Sequence, residues 1–175
     1  SLICACVLIR KENVIDLGDE SISIGLWVGG ASTPNKNTEA RTKYKNLVWK
    51  DSEPYNFTVM KCPCCSSQIG KLDKASKSEK IKGLKVRDGR NGRVVFQCGN
   101  SECEYANEEL PLTVVDDYIY ENPPSLLLGT VDKFAMIPWN KDVGKIFGFR
   151  ENEDVWTRIL PPELIIQDEL HLIAG

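Results

Sequence analysis

Four of the seven cysteines stand in two close pairs. Cys62-Pro63-Cys64-Cys65 supplies a Cys-x2-Cys spacing and Cys98 to Cys103 (CGNSEC) a Cys-x4-Cys spacing, with 32 residues between the pairs. Zinc takes soft ligands at the four corners of a tetrahedron, and each close pair can form a tight knuckle that offers two sulfurs. A Pro and a Gly stand where such knuckles turn. Cys62, Cys65, Cys98 and Cys103 are therefore the expected ligands of a structural zinc, since four thiolates leave no open position for water or substrate. Either Cys64 or Cys65 could complete the first pair, and Cys65 has the better spacing. Cys4 and Cys6 lie in an apolar run and read as packing residues. An odd cysteine count fits a reducing compartment, hence a cytoplasmic location, better than a disulfide framework.

A second constellation closes the chain. Leu164-Ile165-Ile166-Gln167-Asp168-Glu169-Leu170-His171 reads as a short apolar strand ending in two carboxylates, with the only histidine two residues further on. Chemistry in α/β sheets gathers at the carboxyl ends of strands. An Asp there can hold magnesium and a neighbouring Glu can orient or deprotonate a water, as in the Walker B arrangement. The bland alternative is that both acids simply favour a helix start. Upstream, Leu127-Leu128-Gly129-Thr130-Val131-Asp132-Lys133 is another strand-to-helix junction. Its Gly lets a phosphate approach the backbone, and its Thr and amides can donate. Leu26-Trp27-Val28, with Gly25 before it and Gly29-Gly30 after it, is a third strand end.

The elements that must position these residues follow from patterning. Leu2 to Ile9, eight residues, is the longest apolar run. It is far short of the roughly 18 residues that span a bilayer, so no membrane association is expected. It continues through Arg10-Lys11-Glu12 without a turn residue, which favours helix over strand. Ile22 to Val28 reads as a strand running into a glycine turn. Ala40, Tyr44, Leu47 and Val48 form one stripe of an amphipathic helix that follows Pro34-Asn35 and runs to about Lys50. Arg93 to Gln97 is the clearest strand of the middle region, preceded by the turn Asp88 to Gly92. Ser125 to Gly129 reads as a strand, Val131 to Ile137 as a helix, Leu164 to Gln167 as a strand and Glu169 to Ile173 as a helix. The expected plan is an α/β layer interrupted by a β-rich zinc ribbon: residues 1–55 and 116–175 form the layer, and 56–115 the insert.

These strings resemble the first RecA-like motor domain of a superfamily 2 helicase of the DExH type, a P-loop NTPase fold built on a parallel sheet. Asp168-Glu169-Leu170-His171 matches motif II, and Gly129-Thr130-Val131-Asp132-Lys133 is similar to the Thr-containing DNA-contact motif upstream of it. More closely, ISIGLWVGG from Ile22, PPSLLLGTVDKFA from Pro123 and PPELIIQDELHLIAG from Pro161 resemble the helicase subunit of DISARM-type bacterial anti-phage defence systems. The resemblance implies that Asp168 binds magnesium through water, Glu169 activates the water that attacks the γ-phosphate of ATP, and His171 couples hydrolysis to later motifs. It also implies that Gly129, Thr130 and Lys133 touch the DNA backbone, and that other defence-system subunits are partners.

The departures are as informative. No Gly-x4-Gly-Lys-[Ser/Thr] string occurs: Gly70-Lys71 is followed by Leu72 and Gly144-Lys145 by Ile146, with Cys65 and Trp139 where the first Gly should stand. Without that loop the β- and γ-phosphates have no cradle. The start without Met and the stop at Gly175 suggest an excised fragment, expected to be inactive alone.

The net charge of −3 conceals two opposed blocks. Lys61 to Arg93 carries ten Lys and Arg against three acids, and Asn100 to Asn122 carries seven acids and no base. Two readings therefore compete with the motor. One is a non-catalytic zinc-ribbon module that grips nucleic acid through the basic block. The other is a protein-interaction domain whose charged segments face partner subunits.

Overall fold

A computed structural model describes residues 1–12, 18, 20–72, 80–87, 92–152, 155–158 and 160–168. These divide into two compact units, Ser1–Ala135 and Met136–Gly175.

The first unit is built on a three-stranded parallel sheet in the order β6 (Leu112–Thr113), β1 (Ile24–Trp27), β7 (Leu126–Gly129). Ile24 is opposite Leu112 on one side and Leu126 on the other, and the register carries Trp27 to Gly129. Parallel strands need crossovers, and helices supply them here as parallel sheets generally require. The chain runs from β1 through α2 (Asn37–Trp49) and the cysteine-bearing region to β6. It then passes through α3 (Asp116–Glu121) to β7 and into the short α4 (Val131–Ala135). The central strand β1 alternates half-buried and buried residues. Gly25 is required there, because a Cβ would come within 2.7 Å of Pro124 Cγ and 2.9 Å of Leu127 Cδ1.

The patterned helices form where their apolar residues can be covered. The apolar run at the start is helix α1 (Leu2–Glu12), which buries Cys4 and closes on Arg10 and Lys11, favourable charges for its carboxyl end. Helix α2 buries Ala40 and Leu47 of its stripe. At its start Glu39 reaches back to accept from the Asn35 amide at 3.1 Å, which ties the incoming chain to the first turn.

Between α2 and β6 lie two small antiparallel pairs, β2 (Gly70–Lys71) with β3 (Ile81–Lys82), and β4 (Leu84–Arg87) with β5 (Arg93–Phe96). Leu84 faces Phe96 and Arg87 faces Arg93, so the chain reverses across the expected 88–92 turn, of which residues 88–91 lie outside those described. β6, at Leu112–Thr113, belongs to the parallel sheet. The β-rich region also has no core of its own. Phe57, Ile69, Leu84, Phe96 and Tyr105 share one apolar cluster with Cys4 of α1, Ala40 and Leu47 of α2, and Val114 and Val115.

The opposed charge blocks partly meet. Glu109 is 2.8 Å from Arg93 and 3.7 Å from Arg87, and Glu108 pairs with Lys11. Arg93 also lies 4.4 Å above the Tyr118 ring.

The helix expected over Val131 to Ile137 stops at Ala135. Pro138 explains this, because it has no amide to donate to the Phe134 carbonyl and its ring crowds that carbonyl, and a 3-10 turn over Ile137–Trp139 follows. In the second unit a further 3-10 segment, Lys141–Phe147, ends on Gly148 at φ 82° and leads into the antiparallel pair β8 (Phe149–Asn152) and β9 (Val155–Arg158). The strand expected over Leu164 to Gln167 is not formed. An apolar run becomes a strand only when a neighbour pairs with it, and none of the described strands pairs with these residues. Leu164, Ile165 and Ile166 are exposed. The helix expected from Glu169 to Ile173 lies outside the described residues. Among the described residues no helix is long and apolar enough to cross a membrane.

Candidate metal centre and the carboxyl edge of the sheet

The two cysteine pairs come together. The Sγ atoms of Cys62, Cys65, Cys98 and Cys103 all lie within 4.8 Å of one another. Cys62 and Cys103 are 4.0 Å apart, and Cys65 and Cys98 are 3.4 Å apart. A ZnS4 tetrahedron with bonds of about 2.3 Å places its sulfurs about 3.8 Å apart. The donor set therefore fits zinc in both chemistry and spacing, and Cys65 rather than Cys64 completes the first pair.

Local backbone chemistry shapes each knuckle. In the first, Ser66 takes a left-handed conformation at φ 63°. That lets its amide donate to the Cys62 carbonyl at 2.9 Å, while the Cys62 amide donates to the Ser67 carbonyl at 2.7 Å. In the second, the Cys103 amide donates to the Asn100 carbonyl at 3.1 Å, and the Cys98 amide to that of Tyr105 at 2.9 Å. Asn100 also turns donors toward sulfur: its amide is 3.4 Å from Cys98 Sγ and its Nδ2 is 3.9 Å from Cys65 Sγ. Such donors orient and stabilise thiolates around a metal. The Ser67 hydroxyl and amide pull the Cys65 thiol down to about 6, whereas burial pushes the Cys98 and Cys103 thiols up. A divalent cation reverses the latter effect, since a coordinating thiol is deprotonated outright. Four sulfurs close the coordination sphere, so such a metal cross-links the chain and has no site for substrate.

The helix α1 seals this centre from one side. The Tyr105 hydroxyl donates to the Cys4 carbonyl at 3.4 Å, and the Ser1 nitrogen donates to the carbonyl of Pro63, between the first two ligands.

A separate polar cluster occupies the carboxyl edge of the parallel sheet. The three strands deliver Asn35, Asp116 and Lys133, from the segments that follow β1, β6 and β7. Lys133 turns inward, is only 8% exposed, and donates to Asp116 Oδ2 and, at 3.0 Å, to Asn35 Oδ1. Tyr120 donates to the same Asp116 oxygen at 3.4 Å and accepts from the Trp27 indole at 3.1 Å. The Trp27 ring meets Tyr120 and Phe134 edge-on, at centroid distances of 6.2 and 5.3 Å. Burial raises the Asp116 carboxyl above its usual value, against the opposing pull of Lys133 and Tyr120.

The residues singled out from sequence thus fall in different environments. Gly129 and Thr130 are exposed at the end of β7, and the Thr130 amide donates to the Trp27 carbonyl at 3.1 Å, fastening one strand end to the next. Lys133, two residues into α4, has its ammonium held by Asp116 and Asn35. The helix that follows Thr130 has only five residues, so it adds little dipole. Asp168 is exposed in the second unit, and Glu169 and His171 lie outside the described residues. Sequence reasoning missed Asp116 and Asn35, counting the first only as one acid in an acidic block. The hint was an acid beginning a helix immediately after the apolar Val114-Val115.

The chain is similar to the DISARM protein DrmA of Bacillus paralicheniformis, at 31% identity over 205 residues that take in 99% of this chain and 17% of that protein. It therefore spans about one sixth of that relative's length, and the similarity supports a relation to DISARM defence. No protein-family profile matches the chain.

Proposed function

We propose that the chain is part of the first RecA-like motor domain of a DExH-type helicase or translocase that acts on DNA in anti-phage defence, with a zinc ribbon inserted in it. The observation that carries this reading is the 31% identity to the DISARM protein DrmA across 99% of the chain. The geometry of the sheet supports it: adjacent parallel strands β1 and β7 end side by side, with the exposed Gly29-Gly30 beyond β1 and Gly129-Thr130 at the end of β7. Ligands of open α/β sheets bind outside the carboxyl ends of strands. Small residues there let a phosphate backbone approach main-chain amides, and the Thr130 hydroxyl would donate to it.

In this reading ATP and magnesium belong to the whole protein. Asp168 would hold the magnesium, Glu169 would take the proton of the attacking water, and His171 would pass the change on to other motifs. Gly129 and Thr130 would contact the strand. Lys133 would act from beneath, holding the segment that carries them. The zinc of Cys62, Cys65, Cys98 and Cys103 would be structural. Other subunits of the defence system are the expected partners.

The chain contains no phosphate-binding loop, so we expect the 175 residues alone not to hydrolyse ATP. The deciding experiment is DNA-stimulated ATP hydrolysis by the intact protein with and without Glu169→Gln. Loss of turnover with folding and zinc content unchanged supports the motor. Turnover that survives the substitution removes Glu169 from the chemistry and favours a zinc-ribbon binding module.

A further inference from the structure

Thr58 holds a conformation that threonine rarely adopts. Its φ is 63°, and the Val59 amide donates across it to the Phe57 carbonyl at 2.6 Å, closing a three-residue γ-turn. A positive φ in a β-branched residue is a marked outlier, and this form of the γ-turn is rare and strained. Such strain persists only where the surroundings impose it, and it gathers at sites that must keep a fixed shape. Three contacts impose it here. Phe57 is fully buried and meets Phe96 edge-on at 6.4 Å. The Tyr55 hydroxyl donates to the Val59 carbonyl at 2.7 Å. Beyond Val59 the chain enters the first cysteine knuckle, where the Ile69 amide donates to the Met60 carbonyl at 2.9 Å and Lys61 pairs with Gln68.

What the strained turn presents is a hydroxyl. Thr58 is exposed, and its Oγ1 donates at 3.0 Å to the carbonyl of Ser32, 26 residues earlier. Ser32 closes the glycine turn that follows β1, since its amide donates to the Gly29 carbonyl at 2.8 Å. On the other side Asn35 folds back over Gly30, where a Cβ would stand 3.0 Å from Asn35 Nδ2, and Lys133 holds Asn35 Oδ1. The glycine turn is therefore gripped from two directions, by the segment after β7 through Lys133 and by the cysteine ribbon through Thr58. Gly29 and Gly30 stay exposed between them.

We propose that Thr58 is a positioning residue for strand binding: through its hydroxyl the cysteine ribbon braces the Gly29-Gly30 turn against the approaching phosphate backbone. This rests on the reading of that turn as a backbone contact, and it is independent of ATP hydrolysis and of Asp168 and Glu169. It gives the insert a part in binding that needs no contact of its own with the strand.

The test is anisotropy of a labelled 12-nucleotide single-stranded DNA with the metal-loaded 175-residue chain, with amide hydrogen exchange at Ser32 as a second readout. Thr58→Val keeps the shape and the strain and removes the hydroxyl. It should weaken binding about threefold to tenfold, the order expected for one net hydrogen bond, and speed exchange of the Ser32 amide. Thr58→Ser keeps the hydroxyl and should restore both. Thr58→Gly relieves the backbone and also lacks the hydroxyl, so it should unfold at a higher temperature than Thr58→Val and yet bind no more tightly. Binding that recovers in Thr58→Gly would follow strain and not the hydroxyl, and would overturn the proposal. Gly29→Asp separates the brace from the reading beneath it. A Cβ at Gly29 meets nothing within 4 Å, so a carboxylate is accommodated there and repels a phosphate. Binding weakened by Gly29→Asp but untouched by Thr58→Val overturns the brace alone and leaves the turn as a contact. Binding untouched by Gly29→Asp overturns the contact, and the brace with it.

Discussion

Lys133 and Asp116 form a buried ion pair that joins the segments following two different strands, β7 and β6. With Asn35 as second acceptor, a single ammonium ties together the three segments that leave the carboxyl edge of the parallel sheet. A buried pair is weak support for stability as a whole, but removing one partner strands the other charge.

Lys133→Met should therefore destabilise the chain by about 3–5 kcal/mol, as breaking buried pairs generally does. The double variant with Asp116→Leu should recover a large part of that loss. Urea unfolding of both single variants and the double closes the cycle; additive losses would show that the two groups do not interact.

The acid side of the stability curve tests the same carboxyl. Its folded pKa is raised above the usual 3.8, chiefly by burial. Such a group favours the fold when protonated, so its contribution is fully present below the unfolded pKa and is lost as pH rises through the folded one. Carboxyl NMR should show Asp116 titrating above 3.8, and the difference in stability between Asp116→Asn and the unsubstituted chain should change with pH across that window. A titration below 3.8 would mean that Lys133 outweighs burial.

Metal removal should disturb far more than the ribbon. Cys62, Cys98 and Cys103 belong to the same apolar cluster as residues of α1 and α2. Chelation, or Cys98→Ser, should therefore cost several kcal/mol, in keeping with structural zinc sites, and expose α1 to proteolysis. Metal content by plasma emission spectrometry should read one zinc per chain before treatment; a chain that stays fully folded without metal would contradict the assignment.

Gly25→Ala is a small change with a large expected effect. Its new methyl would stand 2.7 Å from Pro124 Cγ and 2.9 Å from Leu127 Cδ1. Overpacking of this kind costs about 1–3 kcal/mol. Thermal unfolding measures it, and an unchanged midpoint would show that the β1–β7 pairing yields freely.

What was legible in the sequence were features decided locally. Ile24 to Trp27 forms a strand and Asn37 to Trp49 a helix because their own spacing matches one buried face. The cysteine ligands were legible because metal chemistry dictates their type and spacing. Lys133 was not, since nothing near it in sequence reveals that Asn35 and Asp116, 98 and 17 residues away, turn it inward. Leu164 to Gln167 failed for a related reason: β propensity supplies a candidate, and pairing makes the strand.

The seal of α1 over the metal centre sets a schedule for biosynthesis. Cys4 and its partner Tyr105 are 101 residues apart. At translation rates of about 5–20 residues per second, the helix waits roughly 5–20 seconds, with Cys4 and Leu8 bare, before the ribosome releases the tyrosine whose cluster covers them. During that interval the apolar face of α1 is what a chaperone would meet, and zinc delivered early finds the first knuckle, Cys62 to Cys65, but neither Cys98 nor Cys103. The nascent chain is thus most vulnerable between the making of its first and second knuckles.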